Sequence, residues 1–133
     1  NIPFIVNGDI NGFEDADMAL KDSNADGVMI GRGCYGKPWL LGQVIHYLNT
    51  GEKLPAPTLA EQMHVVLEHY EDMLYHYGTD AAVRIARKHL GWYTKGLHGS
   101  AEFRNSVNKL ENPDDVREAL KAFYSPLCEQ LAA

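Results

Sequence analysis

Two short apolar runs near the start of the chain, each ending in glycine and a charged residue, limit what it can fold into. The first is Ile2-Pro3-Phe4-Ile5-Val6-Asn7-Gly8-Asp9-Ile10; the second is Asn24-Ala25-Asp26-Gly27-Val28-Met29-Ile30-Gly31-Arg32-Gly33. Apolar and β-branched residues that break into glycine read as buried strands opening into tight loops. Between them, residues 13–22 place Ala16, Ala19 and Leu20 at helical spacing, with Glu14 and Asp15 in the first turn, where the helix dipole favours anions. Strand, helix, strand is a parallel crossover unit. Glycine at such strand ends lets backbone amides approach a phosphate, and arginine adds charge-assisted hydrogen bonds, so the expected guest is an anionic cofactor. Gly31-Arg32-Gly33 alone is also what an ordinary turn with a solvated arginine looks like. Its pairing with Asn7-Gly8-Asp9 is the more specific feature.

One crossover unit does not make a closed barrel. A complete eight-stranded barrel takes about 250 residues, whereas the 133 residues here suffice for one ordinary core. The sequence starts without methionine, carries no signal peptide and has no apolar run long enough to span a bilayer. It therefore reads as the C-terminal part of a larger cytoplasmic enzyme. Cys34 and Cys128 lie far apart without C-x-x-C spacing, so neither a disulfide framework nor a zinc site is expected, and a reducing compartment fits.

After Gly33, residues 34–38 form a loop in which Pro38 suits the first turn of the next helix. Residues 39–49 read as that helix, with Leu40, Leu41, Val44, Ile45 and Leu48 on one face, suited to cover a barrel wall. A glycine stop and two prolines in residues 50–57 mark a boundary. The expected organisation is residues 1–50 as a barrel piece, 51–57 as a linker and 58–133 as a helical domain.

Thr58-Leu59-Ala60-Glu61 has the form of a capping box. The stripe Leu59, Met63, Val66, Leu67, Tyr70, Leu74, Tyr77 follows, and Gly78 ends it. His64, His69 and His76 lack the i, i+4 pair of a helical zinc site, so no metal is expected. Thr79 or Asp80 caps the next helix. One of its faces carries Ala82, Ile85, Ala86, His89 and Tyr93; the other carries Arg84, Arg87, Lys88, Gly91 and Lys95. Trp92 and Tyr93 either close a core or stack on a base. Residues 96–100 are a turn, and residues 101–110 a short helix with Phe103, Val107 and Leu110 inward and Arg104 and Lys109 outward. Asn112-Pro113-Asp114-Asp115 starts the last helix with a cap, a first-position proline and first-turn acids. Its stripe is Val116, Leu120, Phe123, Tyr124, Leu127 and Leu131, and Pro126 either kinks the helix or ends it near Tyr124. Four helices after residue 57 suggest a compact bundle.

Net charge is −6, which taken alone argues against a polyanionic partner. Residues 79–110, however, hold Arg84, Arg87, Lys88, Lys95, Arg104 and Lys109 against Asp80 and Glu102, a net +4. A basic segment inside an acidic chain is either a solvated helix face or a nucleic-acid footprint.

The two glycine-tipped runs, then Lys37-Pro38-Trp39, the segment His46-Tyr47-Leu48-Asn49-Thr50-Gly51-Glu52 and the segment Arg84-Ile85-Ala86-Arg87-Lys88-His89-Leu90-Gly91-Trp92-Tyr93, resemble the bacterial tRNA-dihydrouridine synthases in the same order. The resemblance covers the chain to roughly Leu110 and thins thereafter, leaving the last helix as scaffold. It implies an α/β piece, the last βαβα portion of a TIM barrel, followed by an all-α four-helix bundle, predominantly helical overall. It also implies FMN as cofactor, NADPH as reductant and tRNA as partner. FMN phosphate would be held by Asn7, Gly8, Asp9, Gly31 and Arg32, with the Asp9 carboxylate turned to a ribityl hydroxyl or a backbone amide; a helix cap is the other role open to Asp9. Arg84, Arg87, Lys88, Lys95 and Arg104 would contact tRNA. The family's catalytic cysteine and flavin-ring lysine fall outside this sequence, so the chain alone is expected to be inactive, and Cys34 is not a substitute. The whole protein is expected to be monomeric and cytoplasmic, with no membrane contact, while the isolated chain self-associates through exposed strands. Two other readings stay open: a non-catalytic helical module for RNA or protein, and a flavin barrel acting on a small dihydropyrimidine or enone.

Overall fold

Ile5–Asn7 (β1) and Gly27–Met29 (β2) pair as parallel strands in a two-stranded sheet, with Val6 opposite Val28. The computed structural model describes residues 2–132, and of the last two of these the backbone alone. Both strands are shorter than the apolar runs that contain them. Asp26 lengthens the pairing: its carboxylate accepts from the Phe4 amide at 2.7 Å, and its own amide donates to the Phe4 carbonyl at 2.8 Å. The crossover is helix α1, Phe13–Ser23, closed by Asn24 in the left-handed region at φ 53°. A second helix, α2, spans Leu40–Thr50, with Trp39 at its N-cap position and Gly51 at its C-cap. Ile10, Ala16, Leu40 and Val44 form the buried centre of this part, with Phe13, Ala19, Val28 and Ile30 packed against it. The expected α2 face is thus split: Leu40 and Val44 are buried, while Leu41, Ile45 and Leu48 are exposed.

The chain divides into two compact units, residues 1–56 and 57–133. Residues 51–56 are held to the first unit, since Lys53 pairs with Glu14 and Gln43 Nε2 donates to the Pro55 carbonyl at 2.7 Å.

The second unit is made of α3 (Leu59–Tyr77), α4 (Thr79–Tyr93), α5 (Ser100–Val107) and α6 (Pro113–Ala132). Helix α3 packs on α4 and α6, and α5 packs on both α4 and α6. Val66, Tyr70 and Met73 of α3 meet Ala82, Ala86 and Leu90 of α4, Phe103 and Val107 of α5, and Val116, Leu120 and Tyr124 of α6 in the core. Met73 replaces Tyr77 in the expected α3 stripe, and Tyr77 is exposed at the end of α3; Leu131 of the expected α6 stripe lies outside the residues whose side chains are described. The capping box forms, with the Thr58 hydroxyl accepting from the Glu61 amide and the Glu61 carboxylate accepting from the Thr58 amide. Neither Thr79 nor Asp80 caps α4. Gly78, at φ 76°, is the single residue between α3 and α4 and occupies the N-cap position, leaving no room for a side-chain cap. Asn112 Oδ1 accepts from the Asp114 amide at 2.8 Å and starts α6 as expected. That helix runs through Pro126 and does not stop near Tyr124. Arg117 grips Glu71 with Nε and Nη2, tying α6 to α3, and the guanidinium holds the Glu71 carboxyl below its usual range.

Candidate functional site

The five residues expected around an anion come together. The loops leaving β1 and β2 line a groove of about 690 Å³ formed by residues 7–11 and 31–33. The first loop bends sharply, with Gly8 at φ 143° and Asp9 at φ 45°; Asn11 Nδ2 donates to the Asp9 carbonyl at 2.7 Å and braces the bend. Asp9 does not cap α1. The Asp15 carboxylate takes the Asn11 amide at 2.8 Å, and Gly12 sits at the N-cap without a side-chain bond. The Asp9 carboxylate pairs with Arg32, whose Nη2 lies 3.2 Å from Oδ1, a partner that residue order does not show. Both side chains are more than four-fifths exposed. An ion pair in water is weak, so Arg32 is held to Asp9 at little cost to an exchange of partners.

Two features of this groove gave less signal in the sequence. A Cβ on Gly33 would stand 2.1 Å from the Ile10 carbonyl oxygen, so Gly33 is the point where the two loops touch. Lys37 Nζ donates to the Asn11 carbonyl at 3.0 Å, which sets a second cation beside the groove. Lys37 belongs to the Lys37-Pro38-Trp39 run, whose spacing does not reveal that the side chain folds back. Cys34 lies on the same loop, its thiol donating to the Gly31 carbonyl at 3.0 Å.

The cations of the second unit divide. Arg87, Lys88 and Lys95 of α4 and its C-terminal turn, with Arg104 and Asn108 of α5 and its C-cap, line a groove of about 560 Å³ whose floor includes Gly91 and Trp92. Arg84 is not part of it. With Arg87 it lines a smaller recess of about 170 Å³, where Asp80 and Glu111 offset its charge. Arg87 is partly turned into the protein, donating from Nη2 to the Leu110 carbonyl at 3.1 Å. Tyr93 is buried and its hydroxyl lies 3.0 Å from His69 Nδ1, which makes it a core residue, whereas Trp92 reaches the groove. Among the described residues no cluster of His, Cys, Asp and Glu could hold a metal, and no helix is long and apolar enough to cross a membrane.

A family model described as dihydrouridine synthase matches residues 1–127. The chain belongs to the dihydrouridine synthase family. The match passes well beyond Leu110, so most of α6 is part of the dihydrouridine synthase pattern. A probable tRNA-dihydrouridine synthase of Rickettsia conorii is 54% identical over 128 residues, covering 96% of this chain and 39% of the relative. The tRNA-dihydrouridine synthase B of Xanthomonas axonopodis pv. citri is 50% identical over 126 residues, 95% of this chain and 38% of its own length. That of Pseudomonas putida is 43% identical over 125 residues, 94% and 37% respectively. The chain thus spans about two fifths of the length of the curated relatives it matches.

The first groove of this dihydrouridine synthase chain fits the phosphate end of a flavin. Gly8 and Gly31 line it, and beyond their own chain neighbours no described atom lies within 4 Å of where either Cβ would stand. Both positions therefore face open space along the groove. Arg32 supplies the charge, and Lys37 reinforces it.

Proposed function

We propose that this chain is the C-terminal part of a flavin-dependent tRNA-dihydrouridine synthase, which reduces uridines of tRNA to 5,6-dihydrouridine. Its first unit is then the last βαβα portion of a TIM barrel, consistent with the tendency of such barrels to hold phosphate at the loops after their final strands. Bound FMN supplies the hydride, renewed from NADPH. The chain's own residues bind and orient. Backbone at Gly8 and Gly31 would admit the ribityl-phosphate, the Arg32 guanidinium would take its charge, Asn7 would lie beside it, and the Asp9 carboxylate would accept a hydrogen bond from a ribityl hydroxyl. The second unit, a four-helix bundle, holds tRNA through Lys88, Lys95 and Arg104, with Arg84 and Arg87 at the margin. The catalytic cysteine belongs to the rest of the protein, so residues 1–133 alone are inactive. The working compartment is the cytoplasm, where tRNA is found.

The observation that carries this reading is the meeting of the two glycine-tipped strand ends around one groove with Arg32 at its mouth. Its test is deletion of the gene that encodes the chain. Dihydrouridine at one or more tRNA positions should disappear, return with the wild-type gene, and return only in part with Arg32→Ala, whose purified product should lose flavin on dialysis. Unchanged dihydrouridine would leave the second unit as a non-catalytic RNA- or protein-binding module.

A further inference from the structure

A groove that only followed a phosphate backbone would need cations and nothing else. The one between α4 and α5 also holds an indole and a side-chain amide. Trp92 is half-buried on its floor, and the His89 ring meets it edge-on at 5.0 Å and 84°, which fixes the angle of the indole from within the helix. Lys88 Nζ lies 5.9 Å from the Trp92 ring centroid, and the Lys88 side chain is exposed. Asn108, at the C-cap of α5, adds a donor and an acceptor to the same lining.

Gly91 lets the Arg104 stem lie against α4. A Cβ there would already touch Arg104 Cδ at 3.4 Å, so the aliphatic stem of Arg104 lies across α4 at the one position without a side chain. Any residue longer than alanine would push the Arg104 stem off α4. No carboxylate lines this groove among the described residues, in contrast to the neighbouring recess with Asp80 and Glu111.

We propose that this groove accepts an unpaired nucleotide of RNA, its base stacked on Trp92 in place of the Lys88 ammonium and its flanking phosphates held by Lys95 and Arg104. The proposal rests on the reading of this face as the RNA-binding side and adds to it a preference for single-stranded or looped-out nucleotides over duplex. A base offers a flat π face to the indole whatever its identity, so the contact is tolerant of sequence, and Asn108 is placed to read a base edge. Stacking releases no counterions, whereas phosphate contacts do. The two contributions therefore separate by their salt dependence.

The test uses the whole 133-residue chain with fluorescein-labelled oligouridylate and with an RNA duplex of equal charge, titrated at several salt concentrations. Trp92→Ala should weaken oligouridylate binding roughly tenfold with the salt slope unchanged, leave duplex binding nearly as it was, and be largely rescued in Trp92→Phe. Lys95→Ala and Arg104→Ala should instead flatten the salt slope for both probes. Gly91→Leu should reproduce the Arg104 loss. In a Trp39→Phe background, where Trp92 is the remaining indole, oligouridylate should quench its emission, a readout independent of any change at position 92. If Trp92→Ala weakens both probes equally or neither, or quenching is absent while Lys95→Ala and Arg104→Ala still flatten the slope, the stacking proposal is overturned and the tRNA reading stands. If neither probe binds in a way that depends on Lys95 and Arg104, the RNA reading of this face fails with it.

Discussion

Gly33 is held by geometry, because the backbone oxygen of Ile10 stands where its Cβ would be. Gly33→Ala should destabilise the first unit by about 3 kcal/mol, since neither loop has a flexible side-chain end to move aside. Urea unfolding followed by Trp39 emission in a Trp92→Phe background measures it, and an unchanged midpoint would mean that the loops part freely. Tyr124 gives the opposite case. Its hydroxyl is buried with no hydrogen-bond partner among the described residues, and burial pushes its pKa up. Tyr124→Phe should therefore be neutral or stabilise by about 1 kcal/mol, because the desolvated hydroxyl is lost without breaking a bond. A clear drop in thermal midpoint would reveal a buried water or another partner for the hydroxyl. Both sites were seen in the sequence for coarser reasons, Gly33 as part of a loop motif and Tyr124 as a core stripe residue. Neither the clash nor the orphan hydroxyl follows from periodicity.

Among the elements, α4 carries most of the chemistry. Its spacing showed a small-residue face and a cationic face, and both exist: Ala82 and Ala86 are buried while Arg84 and Lys88 are exposed. Spacing did not show that Arg87 spends a guanidinium nitrogen on the Leu110 carbonyl, which makes it part scaffold. Between the faces sits His89, packed edge-on against Trp92 on α4 and His69 on α3, with the Lys88 ammonium on its own helix close by. Burial, then His69, then Lys88 lower its pKa below 6.5. Folding thus prefers the neutral ring, and the unfolded chain binds the proton more readily. This contribution to stability is complete above pH 6.5 and is lost as pH falls through the lowered folded value. Thermal melting should show the midpoint of the second unit dropping as pH is lowered past 6, with a shallower drop in His89→Gln. Equal slopes in both proteins would assign the pH dependence to other groups. The capping box at Thr58 was legible because it is local; the absence of a cap at Thr79 was not, because it depends on Gly78 joining two helices with no intervening loop.

On the scale of the whole chain, the first unit exposes more large apolar side chains than the second, where Tyr75 and Tyr77 stand out among the described residues. Phe4 just before β1, Ile5 and Met29 on the strands, and Leu41, Ile45 and Leu48 on α2 are all exposed. Val28, Ile30, Val44 and those three α2 residues line an apolar recess of about 230 Å³. A two-stranded sheet with open edges and an uncovered face is a site for pairing between copies. Sedimentation of the isolated chain should show concentration-dependent association that Ile45→Glu reduces, and a monomer at every concentration would contradict this.

Strand, crossover helix, strand, the two glycine tips, the capping box, the Asn112-Pro113 helix start and the basic run were all legible from residue order, because each depends on neighbours within a few positions or one helical period. The family followed from the same local motifs. What required the folded chain was every relation between distant segments: Arg32 meeting Asp9, Gly33 pressed against Ile10, Arg104 laid over Gly91, and Arg84 separated from Lys95 into a different recess. Side-chain direction across a helix or loop contact depends on what packs opposite, and a linear pattern carries no record of its opposite face.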